Sequence, residues 1–86
     1  MKIHELKCHF EAFEAKALNL KNWEYRLNDR NYKIGDILIE KEYFPEQDKF
    51  TGREIEEQVI WMLKGGSFGI PAGYVIMTTK ELSRKQ

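Results

Sequence analysis

Lys21, Glu24 and Arg26, in the stretch LKNWEYR, are the residues of this sequence best placed to do chemistry. On an extended strand Glu24 and Arg26 share one side, and Lys21 comes just before them. A carboxylate between an ammonium and a guanidinium supports two kinds of site. In a concave mouth the cations grip phosphate or base acceptors, while the carboxylate accepts from a base amino group. Alternatively, a lysine beside a carboxylate serves as nucleophile and base. On an open surface the same residues form only an ion pair, worth about 0–1 kcal/mol. Periodicity by itself favours the surface pair.

Other chemistry-bearing residues carry less. Gly65, Gly66 and Gly69 could bring backbone amides close to an anion. The lysine precedes these glycines and no helix follows, which fits neither phosphate-loop nor dinucleotide patterns, so the stretch is expected to be a connector. Ser67 and Phe68 at its tip could still line a ligand site. Cys8 and His9 are adjacent and point to opposite faces of a strand; adding His4 still completes no four-ligand set. No metal or other cofactor is expected, and no nucleophilic triad is visible.

Charge is segregated along the chain. Residues 19–33 carry Lys21, Arg26, Arg30 and Lys33 against Glu24 and Asp29. Residues 40–57 carry seven acidic side chains against three basic ones. The acidic stretch is expected to be a solvated exterior, and an anionic ligand is expected at the basic one.

The elements that position these residues follow from periodicity. KIHELKC reads as a first strand with Ile3, Leu6 and Cys8 inward. HFEAFEAKALNL places Phe10, Phe13, Ala17 and Leu18 at helical spacing, with Glu11, Glu14 and Lys16 elsewhere on the wheel. Asn19 suits a left-handed helix end. The next strand carries Trp23, Tyr25 and Leu27 as its core row, so Tyr25 is expected to be buried and not a stacking platform. LNDRNYKIGD is a turn region. DILIEKEYF forms a third strand, followed by the loop PEQDKFTG. REIEEQVIWML forms a long strand with Ile55, Val59, Trp61 and Leu63 at one parity. YVIMTTK, apolar at both parities, is expected to be a central strand, and residues 81–86 a frayed tail. The expected fold is α+β, mostly β: a barrel-like sheet of about five strands with one helix after the first.

With 86 residues the chain makes a single domain, expected over residues 1–80. Formal charge balances to zero, which argues against strong non-specific polyanion binding while leaving a local basic patch open. Cys8 is the single cysteine, so no internal disulfide can form, and a reducing cytoplasmic setting is expected. No signal-peptide or membrane-spanning apolar run is present, so no membrane association is expected. Composition leaves the oligomeric state open.

LKNWEYR, followed by Gly35–Asp36 and the strand ILI, resembles the ASCH (activating signal cointegrator homology) group of PUA-like domains. The signature of that group is glycine, any residue, lysine, two more, glutamate, any residue, arginine, then a later Gly-Asp opening a strand. Lys21, Glu24, Arg26, Gly35 and Asp36 match it, and Asn19 stands where the glycine is expected. HELKC, EYRLNDRNYKIGDILIEKEY, TGRE and GYVIM are similar to a small, mostly bacterial and phage family of PUA-like proteins, over residues 2 to about 80. The resemblance implies a pseudo-barrel with a cleft between the helix and the second strand, and RNA or nucleotide binding there. Lys21, Glu24 and Arg26 would line the cleft, with Lys7 and Arg30 at its periphery. Some small ASCH proteins are similar to amidohydrolases that remove an acyl group from a modified cytidine, using a lysine at the position of Lys21. On that alternative Lys21 and Glu24 would be catalytic. The family's threonine is Glu24 here, and its distant glutamate has no clear counterpart. A second alternative, a protein-interaction accessory module, rests on the acidic stretch alone.

Overall fold

A computed structural model describes all residues from Met1 to Gln86. Strand β1 (Ile3–His9) alternates strictly, burying His4, Leu6 and Cys8. Ile3, expected inward, is exposed, because His4 takes the inward parity and pairs with buried Asp36. Helix α1 (Phe10–Ala17) follows at once, with Glu11 in its first turn and Lys16 in its last, as the helix dipole favours. Asn19 closes it at φ 61°, the left-handed geometry its side chain tolerates. The remaining strands are β2 (Trp23–Leu27), β3 (Ile37–Phe44), β4 (Lys49–Lys64) and β5 (Tyr74–Lys85).

The five strands form one sheet in the order β1-β3-β4-β5-β2. β1 and β3 run parallel, and every other pair is antiparallel. The sheet curls into a half-barrel whose edges, β1 and β2, are bridged by side chains. Arg26 Nη2 donates to Lys7 O and Arg30 Nη1 to Glu5 O, each at 3.0 Å. Inside lie Leu6, Tyr32, Leu38, Val59, Val75 and Met77, with Cys8, Phe13 and Ile55 packed beneath α1. Removing one such side chain, as in Leu38→Ala, costs about 2–5 kcal/mol. No helix is long and apolar enough to cross a membrane.

Four further expectations are corrected. The tail does not fray: β5 continues to Lys85, where Glu54, Ile55 and Glu56 of β4 pair with Lys85, Arg84 and Ser83. In β4, a bulge between Val59 and Trp61 resets the alternation, so Val59 is buried while Ile60 and Trp61 face out. In β2 the faces are inverted: Trp23, Tyr25 and Leu27 are each about half exposed, whereas Glu24 is 4% exposed. The acidic stretch is only partly exterior: Glu46 and Asp48 are exposed on its hairpin, whereas Glu40, Glu42 and Glu57 are buried.

Candidate functional site

The inversion of β2 drives Glu24 into the barrel, where three cations meet it. Lys16 Nζ and Lys21 Nζ each lie 3.0 Å from Glu24 Oε2, and Arg26 Nε lies 2.8 Å from Glu24 Oε1. Each cation reaches Glu24 from a different place: the last turn of α1, the loop after it, and β2 itself. Burial works to raise the Glu24 pKa, and Lys16, Lys21 and Arg26 overcome it, holding the carboxyl below its ordinary value.

Behind Glu24 the network continues into the second half of the chain. Lys16 Nζ donates to both oxygens of Glu57 at 3.0 Å, and Thr79 Oγ1 donates to Glu57 Oε2 at 3.2 Å. Burial opposes the charge on Lys16, but Glu24, Glu40 and Glu57 raise its pKa, so it stays an ammonium and makes a poor nucleophile. Oxygens of Glu24, Glu40 and Glu57 lie within 4.8 Å of one another, a spacing that suits a metal ion. The Lys16 ammonium already balances two of these three carboxylates, so the cluster carries its own cation.

Glu40 differs from its neighbours. It is fully buried, and neither carboxyl oxygen has a hydrogen-bond partner; Arg26 Nη2 approaches Oε1 only to 3.6 Å. Burial and the nearby Glu24 push its pKa well above the ordinary carboxylate value. The shift disfavours the charged form of Glu40 and so limits the negative charge beneath the three cations.

Open space surrounds the cluster. A groove of about 390 Å³ between β1, α1 and β2 is lined by Lys7, Cys8, His9, Ala12, Lys21, Trp23, Glu24, Tyr25 and Arg26. Across Lys21 lies a wholly polar pocket of about 340 Å³, lined by Lys16, Asn19, Asn22, Glu57, Thr79 and Glu81 as well as Lys21. Farther along the β1–β2 seam, Lys7, Arg26 and Arg30 share a third depression with Glu5, Leu6, Lys41 and Phe50. The polar pocket, with two lysines against two glutamates, adjoins the groove at Lys21; the groove and the seam depression share Lys7 and Arg26 as walls and together make a basic channel. Its cations are not idle ends of flexible side chains, since Lys21 and Arg26 are fixed by Glu24 and by backbone carbonyls.

Of the residues singled out from sequence, Lys21, Glu24 and Arg26 come together, with Lys7 and Arg30 along the same channel. Lys16, Glu40, Glu57 and Thr79 were missed. A signal for Glu57 was present, because it sits between buried Ile55 and Val59 at the apolar parity; Glu40 likewise follows Leu38. Gly35 and Asp36 play a different part. Gly35 has φ 97°, and buried Asp36 accepts from Lys2 N, Lys33 N and the His4 ring. Burial works to raise the Asp36 pKa, and these hydrogen bonds hold it below its ordinary value. This pair clamps the start of β1 to the turn before β3. Cys8 is not a ready metal ligand, because burial and the charges of Glu40 and Glu24 push its thiol up to about 12. Phe68, at the tip of the glycine loop, is exposed, and neither it nor Ser67 lines the channel.

Comparison with known families gives a match to a domain of unknown function, DUF3850, across residues 3–79. The chain belongs to the DUF3850 family. The matched span takes in every residue of the Glu24 cluster, from Lys16 to Thr79. The DUF3850 chain is also similar to an uncharacterized 12.9 kDa protein in the GpA 3′ region of Escherichia phage P2. The two are 43% identical over 58 residues, which is 67% of this chain. The chain spans about half the length of that phage relative, 51%.

Proposed function

We propose that this DUF3850 domain is a PUA-like module, related to ASCH domains, that binds RNA or a nucleotide in the channel between α1 and β2. The observation that carries the reading is the anchoring of Lys21 and Arg26 on one buried carboxylate at the wall of an open groove. A preorganised cation pair loses less side-chain freedom on gripping phosphate than two free surface side chains would. The LKNWEYR and Gly35–Asp36 signature adds to this, as does the local concentration of Lys7, Lys21, Arg26 and Arg30 in a chain of zero formal charge. Lys21 and Arg26 contact phosphate or base acceptors, and Glu24 orients them. Titration of labelled RNA and of nucleoside monophosphates tests the proposal. Wild type binds and Arg26→Ala weakens binding at least roughly tenfold, the loss of one charge-assisted contact. Equal binding by the two proteins, or binding by neither, refutes it.

One observation favours a second reading, a hydrolase acting on modified nucleosides. Lys21 shares the wholly polar pocket with Glu57 and Thr79, a lysine, carboxylate and hydroxyl around a space of about 340 Å³. This supplies a threonine and a distant glutamate from β5 and β4, where the sequence offered none near Lys21. Incubation with a panel of acylated nucleosides, followed by chromatography, checks it: turnover lost in Lys21→Ala supports the reading, and no turnover removes it.

A further inference from the structure

Trp23 and Tyr25 lie on the outside of an edge strand, where alternation would have buried them, and the bulge in β4 turns Trp61 out beside them. Both tryptophans are in register with Thr78 of β5, one on each side. Neighbouring strands lie about 4.8 Å apart, so the two tryptophans stand roughly 9.6 Å apart across a small residue. Tyr25 continues the row and stacks on Tyr74 at 5.3 Å. Aromatic side chains left about half exposed together on one sheet face mark an interaction surface.

Charge identifies what the surface fits. Trp23 and Tyr25 are themselves walls of the basic groove, next to Lys7, Lys21 and Arg26. The Lys21 ammonium lies 4.4 Å from the centre of the Trp23 ring, so an anion drawn to Lys21 arrives beside the indole. Spacing narrows the choice further. Side chains two apart on a strand are separated by about 6.7 Å, nearly twice the roughly 3.4 Å axial step of one strand of a duplex. Bases reaching both rings must therefore be splayed, as they are in a single strand.

We propose that the outward face of β2, β5 and β4 is a stacking platform for single-stranded RNA. Bases of the strand lie on Trp23, Tyr25 and Trp61, while its phosphates follow Lys21 and Arg26. This rests on the RNA reading of the channel and extends it from the groove walls Trp23 and Tyr25 across the sheet to Trp61.

The test uses the full chain and a fluorescein-labelled single-stranded RNA of about twelve nucleotides, within the roughly 4–16 that one OB fold covers. Its duplex and an abasic strand of equal length are the other probes. The expected result is that Trp23→Leu and Trp61→Leu each weaken single-strand binding about 5- to 150-fold, the effect of losing one stacked base. Duplex and abasic strands bind more weakly than the single strand, and Trp61→Leu, outside the groove, leaves their affinity unchanged. Circular dichroism confirms that these surface variants fold. Undiminished single-strand binding by both tryptophan variants, with loss in Arg26→Ala, overturns the platform and leaves the channel reading standing. No RNA binding by wild type removes both. A wild-type dimer in sedimentation without RNA, absent in Trp23→Leu, assigns the face to a second copy of the chain and overturns the proposal.

Discussion

Lys16→Met gives the sharpest test of the buried network. Methionine keeps the apolar stem and removes the ammonium, which has three carboxylate contacts at 3.0 Å, two to Glu57 and one to Glu24. Glu24 retains Lys21 and Arg26, whereas Glu57 keeps only the Thr79 hydroxyl. The loss therefore falls mainly on Glu57, a carboxylate left buried without a countercharge. Breaking a buried pair in this way costs about 3–5 kcal/mol. For a domain of this size each kcal/mol moves Tm by roughly 4–8 °C, so the expected drop is about 12–40 °C. Urea unfolding at pH 7 measures it, alongside Glu57→Gln and the double variant. The double variant is expected to lose less than the two singles together, by about 2–3 kcal/mol. The pH dependence has a definite sign. Folding lowers the Glu24 pKa from its ordinary 4.5, so its stabilisation is present above that value and is lost as pH falls through the folded pKa. Lys16→Met removes part of that lowering, and the gap between wild type and variant narrows toward acid. A cost below about 1 kcal/mol at pH 7, as for a surface pair, or strict additivity, refutes the reasoning.

Glu40→Gln is expected to stabilise the protein at pH 8 and to flatten its pH profile. The raised folded pKa means that wild type loses stability as pH climbs above the unfolded value, 4.5, until the folded pKa is passed; urea midpoints at pH 5 and 8 check this. Lower stability of the glutamine variant at pH 8 would show that ionised Glu40 has a partner. Cys8, buried and with its thiol pushed up to about 12, holds only about one thiolate in ten thousand at pH 8. Alkylation followed by mass spectrometry is expected to label it only in denaturant. Gly65→Ala places a Cβ 1.9 Å from Pro71 O, a backbone atom that cannot swing aside, and a loss of about 2–3 kcal/mol is expected in thermal unfolding.

Element order was legible because helix and strand periods differ, and because Asn19 marks the helix end with chemistry that suits a left-handed turn. The inward face of β2 was not. Alternation in five residues separates two faces without saying which is inside, and hydrophobicity points to the wrong one here. The deciding partner, Lys16, belongs to another element, and only tertiary structure brings its ammonium to Glu24. The same holds for Glu57: its carboxylate looks solvated in sequence, yet it occupies the apolar parity because Lys16 and Thr79 meet it inside. Trp61 was misplaced for a local reason. One extra residue in β4 shifts everything after it to the opposite face, and no glycine or proline stands at the bulge to mark it.

The strand order also sets when the cluster can exist. Trp23 pairs with Thr78, and Lys16 meets Glu57, so each contact closes a long stretch of chain. Such pairings form slowly, because loop-closure entropy is lost before any contact offsets it. During synthesis the first half of the chain, carrying Lys16, Lys21, Glu24 and Arg26, emerges before the strands that fix it in place. Until β4 and β5 dock, Lys16 lacks its Glu57 partner and β2 lacks the neighbour that holds it in the sheet. Any ligand that needs Lys21 and Arg26 in their observed geometry therefore recognises only the finished chain, and by mass action it holds that chain folded.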